Sequence, residues 1–182
     1  MSGRSVWALC RSCAESVYGT RPPNERYADA VARLLLGTAA QESGGFRYRR
    51  QLGFRPDTLR GAFGLWQCEI ATIRASLEWV RERPELLRHA AAWLADGWDG
   101  GDLAHLPEYA IPAILQRPDG DRLSCLLGRA HYLRVADPVP GTLAEQAVYW
   151  KRVYNTRLGR GRAEDYVRSW QLHCAPVLRN EG

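Results

Sequence analysis

Apolar residues in this chain return at intervals of three, four and seven, with no strong run at intervals of two, so helices must supply most of its core. The clearest case begins after Pro22-Pro23. Asn24 stands where an N-cap belongs and opens a helix expected from about Glu25 to Gln41. Val31, Leu35 and Thr38 share one face of it, and Glu42 continues the same stripe. Gly44-Gly45 then supply a C-terminal stop. A carboxylate on a core-facing stripe is the unusual element. Burial and the negative end of the helix dipole both disfavour its ionisation, so Glu42 is a candidate proton donor near neutral pH.

Further helices follow at about Glu69–Glu82, from Pro84 to Gly97, at Pro107–Leu115, at Asp121–Arg134, around Leu143–Tyr154, and at Ala163–Cys174. Residues 46–62 are polar and Arg-rich, contain Gly53 and Pro56, and read as a long loop or small hairpin. The expectation is one mainly α domain over 21–174. Residues 1–20 form an N-terminal tail or assembly segment, and 175–182 a C-terminal tail.

At 182 residues the chain is long enough for a substantial core. Its net charge of +5 suits several anionic partners, among them nucleic acid and cell-wall polymers, and selects none. Five cysteines without a secretory leader point to synthesis in a reducing cytoplasm. Cys10 and Cys13 form a lone CxxC, with neither a second CxxC nor a spaced His pair to complete a zinc set. No cofactor and no membrane span are expected.

Four segments in order carry a resemblance. They are Glu42-Ser43; Gly61-Ala62-Phe63-Gly64-Leu65-Trp66-Gln67 with Thr72; Leu127-Gly128-Arg129-Ala130-His131-Tyr132-Leu133; and Tyr154-Asn155-Thr156 with Gly159, Gly161-Arg162 and Trp170. Together they resemble the signature elements of lytic transglycosylases and goose-type lysozymes. The resemblance implies a lysozyme-like α-helical fold and peptidoglycan glycan strands as substrate. Glu42 is then the catalytic acid and base. Ser43, Gly64, Trp66, Gln67, Tyr132, Tyr154 and Asn155 are the implied substrate-binding set, with Ser43 supporting the site and Tyr154 beside Glu42. Trp66 replaces the family's usual Met, as a platform for a sugar ring or as core packing. His131 has no motif match and reads as a partly buried helix residue rather than a base.

A second carboxylate would change the chemistry from anhydro-ring formation to hydrolysis, and Asp57 and Glu69 are the nearest in sequence. The run Ala147–Gly161, with Gly64–Glu69, is also similar to segments of tailed-bacteriophage proteins. That similarity implies delivery in a virion, with other virion proteins as partners, and leaves open a structural virion protein without turnover. A third class of function rests on Arg47, Arg49, Arg50, Arg55 and Arg60 with Phe46 and Tyr48. That mixture could follow a phosphate backbone, or could merely flank a glycan groove.

Overall fold

The computed structural model describes residues 2–18, 23–54, 60–96, 98, 101–156 and 159–179. Helices dominate it: α1 (Gly3–Ser16), α2 (Glu25–Glu42), α3 (Ile70–Arg81), α4 (Pro84–Ala95), α5 (Ile111–Leu115), α6 (Asp121–Leu133), α7 (Leu143–Trp150), α8 (Ala163–Ser169) and α9 (Ala175–Arg179). Two short strands, β1 (Ala62–Phe63) and β2 (Cys68–Glu69), form an antiparallel hairpin.

The helix α2 is the axis of the domain. From Ala28 to Ala40 every residue is buried except Asp29 and Arg33, which pair with each other at 2.7 Å. A helix apolar almost all round must be wrapped by others, and here α1, α6, α7, α8 and the segment after α8 surround it. Its start is fixed by the Asn24 side chain, which accepts a hydrogen bond from the Tyr27 N–H at 2.9 Å. Asn24→Ala is expected to lower unfolding stability by about 1 kcal/mol. Urea titration should show a lower midpoint at unchanged slope.

The N-terminal segment is not a tail. Val6, Trp7, Cys10, Cys13, Ala14 and Val17 are buried, and α1 packs along α2. Their spacing of three and four is itself a helical stripe, and Ser2 caps it through the Ser5 N–H. The CxxC cysteines are core residues of that stripe. Both meet Cys125 of α6, and burial pushes all three thiols above their ordinary range. All five cysteines are free thiols, and no group of three or more metal-ligating side chains forms among the described residues.

The C-terminal segment is not a tail through Arg179 either. The helix begun at α8 continues through a π turn (Trp170–Cys174) into α9. There Ala175, Val177 and Leu178 pack against the core.

The hairpin lies just beyond the loop or small hairpin expected over 46–62: its strands are Ala62–Phe63 and Cys68–Glu69, and residues 46–54 form turns and bends with a single bridge. Arg50 bridges to Phe63, so a third short stretch joins its edge. Arg49 then ties this region to the start of α6 with two hydrogen bonds to buried Asp121, at 2.8 and 2.7 Å. Among the described residues no helix is long and apolar enough to cross a membrane.

Candidate active site

The last residue of α2 opens into a groove of about 630 Å³. Glu42 lines it together with Gln67, Glu69 and Thr72 from the hairpin and α3, and with Tyr154 and Asn155 beyond α7. Residues separated by more than a hundred positions thus line one groove. Local geometry delivers Glu42 there. Ser43, Gly44, Gly45 and Phe46 end α2 abruptly, with left-handed φ of 62°, 76° and 66° at the last three. The chain turns away and leaves Glu42 at the groove.

Glu42 has one direct protein partner shown, the Trp150 indole, whose Nε1–H donates to Oε1 at 3.0 Å. Burial pushes the carboxyl up to about 7, against the opposing pull of that donor. The carboxyl is therefore about half protonated at neutral pH, poised to give and to take a proton, and it lines the groove. Trp150 was not among the residues singled out for the site. Its sequence signal was only a place on the α7 stripe with Tyr154.

Beyond α7 the chain makes a π turn (Lys151–Asn155), a form often found at functional sites. It directs Tyr154 and Asn155 into the groove. The Tyr154 hydroxyl donates to the Trp66 carbonyl at 2.6 Å and takes a contact from the Cys68 thiol at 3.3 Å. Burial holds that phenol far above its usual range, so it stays neutral and its ring acts as a wall.

Two side-chain amides face the groove in fixed orientations. Gln67 Nε2 donates to the Gly64 carbonyl at 2.7 Å, which leaves Oε1 as the groove's acceptor. Asn155 Oδ1 accepts from Lys151 Nζ at 2.8 Å, which leaves Nδ2 as a donor. Neither assignment is arbitrary: a carbonyl only accepts and an ammonium only donates.

Four of the implied substrate-binding residues lie elsewhere. Ser43 is fully buried, donates to the Ala39 carbonyl at 2.6 Å and accepts from the Phe46 N–H at 2.8 Å, so it is a helix cap. Trp66 is fully buried, with Nε1–H on the Leu35 carbonyl at 3.0 Å, so it is core and no platform for a sugar. Tyr132 is buried behind Tyr154, its hydroxyl paired with Thr38 at 2.8 Å. Gly64 (φ 75°) is needed because a side chain there would collide with Ser124 of α6. In each case the motif residue builds the groove from behind.

His131 lines the groove as a neutral imidazole. Burial lowers its pKa, and Nε2–H donates to the Val153 carbonyl at 3.1 Å, bracing the π turn. Of the candidate second carboxylates, Glu69 lines the groove, whereas Asp57 lies outside the described residues. Gln41, Gln51 and Arg160 also line it and carried no distinctive sequence signal.

The basic-aromatic loop is partly spent on the fold. Arg49 is paired with Asp121, and the Arg50 guanidinium sits 5.0 Å from the Phe63 ring. Arg55 lies outside the described residues. Comparison of the chain with protein-family models, curated proteins and solved structures finds no match.

Proposed function

We propose that this groove cleaves the glycosidic bond between N-acetylmuramic acid and N-acetylglucosamine in peptidoglycan, in the manner of a lytic transglycosylase. The observation that carries the reading is the Glu42 carboxyl, raised by burial to a pKa of about 7, in a groove lined also by the oppositely oriented amides of Gln67 and Asn155. Protonated Glu42 donates to the bridging oxygen as the C1–O bond breaks. The muramic acid C6 hydroxyl oxygen then bonds to C1, closing the 1,6-anhydro ring, and its proton returns to Glu42. The step consumes no water and needs no cofactor. An acetamido group offers one N–H and one C=O, which complement the Gln67 acceptor and the Asn155 donor.

The resemblance to lytic transglycosylases and to tailed-bacteriophage proteins supports a virion-associated enzyme that opens the cell wall as DNA enters. A hydrolytic variant of the reaction is favoured by one observation, that Glu69 lines the same groove. As a second carboxylate it could activate water.

Digestion of purified peptidoglycan, with mass analysis of the products, separates these readings. Products lighter by one water are expected, from the anhydro ring. The rate should fall as pH rises above about 7, when Glu42 loses its proton. Reducing-end products would assign Glu69 a role. No products from folded protein would sink the enzymatic reading in favour of a structural virion protein.

A further inference from the structure

Lys151 is the only lysine in the chain, and its three ammonium hydrogens are all engaged. Nζ donates to Asn155 Oδ1 at 2.8 Å, to the Thr156 carbonyl at 2.8 Å and to the Gly159 carbonyl at 2.7 Å. No carboxylate is among these partners. An ammonium surrounded by neutral acceptors acts here as a geometric clamp rather than as half of an ion pair.

The clamp holds one wall of the groove, to which Asn155, Thr156 and Gly159 all contribute. Thr156 has φ 61° and ψ 175°, a conformation non-glycine residues rarely adopt. The Lys151 bond to its carbonyl helps hold that conformation in place. A side chain at Gly159 would collide with the Asn155 carbonyl, and one at Gly161 would press on Trp150 and Asn155. Wall, clamp and carboxyl partner are therefore packed as one unit.

The Asn155 amide is fixed by this arrangement. Were it to rotate by half a turn, its NH₂ would face the ammonium, donor against donor. With Oδ1 on Lys151, the free hydrogens on Nδ2 remain for a ligand.

We infer that Lys151 is a positioning residue of the groove, setting Asn155 to donate to a carbonyl oxygen such as that of a sugar acetamido group, and holding the wall that presents it. This role rests on the glycan-cleaving reading above. It acts on ligand binding more than on the proton transfer, because Glu42 touches Trp150 and not Lys151.

The test compares wild type, Lys151→Met and Asn155→Asp. Methionine keeps the apolar stem and removes the donors. Aspartate keeps an acceptor for Lys151 and removes the Nδ2 donor. Binding of an N-acetylglucosamine tetramer would be followed by NMR titration, and cleavage of purified peptidoglycan by steady-state kinetics. Each variant should bind the tetramer about tenfold more weakly. KM should rise by a similar factor with kcat within about twofold, and the pH limb due to Glu42 should stay in place.

Equal tetramer binding by all three proteins would overturn the role of Lys151, as would a fall in kcat at unchanged KM. Should Lys151→Met not fold, Lys151→Gln takes its place: its amide is uncharged and one atom too short to span all three acceptors, the same loss of tetramer binding is expected, and binding equal to wild type overturns the role of Lys151. Wild type that neither binds the tetramer nor cleaves peptidoglycan would overturn the functional reading and this role with it. Active wild type beside unaffected variants would overturn this role alone.

Discussion

Glu42→Gln is expected to lower peptidoglycan cleavage by about three orders of magnitude while leaving the fold intact, because the amide cannot supply or retrieve a proton. The same substitution should stabilise the protein above neutral pH. Folding raises the Glu42 pKa from 4.5 to about 7, so the native state holds this proton more tightly than the unfolded chain. That contribution is fully present below pH about 4.5 and is lost as pH climbs through about 7. Glutamine is neutral throughout. At pH 8 the variant should be more stable by on the order of 2–3 kcal/mol, and the two proteins should converge near pH 4. Paired denaturant titrations at those pH values, beside a cleavage assay, measure both effects. A fully active Glu42→Gln would remove Glu42 from the chemistry. A stability difference independent of pH would mean that its carboxyl is not held protonated by the fold.

Trp66→Ala is expected to cost about 3–5 kcal/mol of stability, the range for deleting a large buried aromatic. Trp66 is enclosed, bonded through its indole to the Leu35 carbonyl, and laid against Gly128 of α6. Its loss opens a cavity between α2 and α6 and leaves that carbonyl without its indole donor. Thermal unfolding should begin about 10 °C lower. Where the variant remains folded, KM for glycan should stay near wild type. The opposite pattern, normal stability with a raised KM, is what a sugar platform at Trp66 would give.

Several helices were legible because their signals are local. Asn24, Pro84 and the glycines after Glu42 mark boundaries that follow from capping and backbone sterics, and these fall within a residue or two of the observed ends. The two ends of the domain were misread. The stripe Val6, Trp7, Cys10, Cys13, Ala14 is plain once cysteine is counted as a small hydrophobe rather than a reactive group. The continuation into α9 was hidden by Pro176, which ordinarily discourages a helix interior, but here follows a π turn at the second position of α9.

The candidate site divides in a similar way. Glu42, Gln67, Tyr154 and Asn155 do line one groove, whereas Ser43, Gly64, Trp66 and Tyr132 support it from inside the core. Motif spacing could not distinguish these two groups, since neighbours in a motif can point to opposite sides of a wall. Trp150 and Lys151 matter to the groove through contacts that one stripe position and one isolated cation do not announce.

The sequence by itself determined a helical domain, the axis helix with its capped start and glycine stop, and the unusual placement of a carboxylate at the end of an apolar stripe. Those properties reside in periodicity and in the backbone preferences of single residues, which need no distant partner. Only the tertiary structure decided that Glu42 meets Trp150, that Trp66 is core, that α1 belongs to the domain, and that Lys151 fixes the Asn155 amide. Each depends on contacts between separate elements or on burial. Even the Lys151 clamp, local in the chain, requires the π turn and the wall packed against Trp150 to bring its acceptors together.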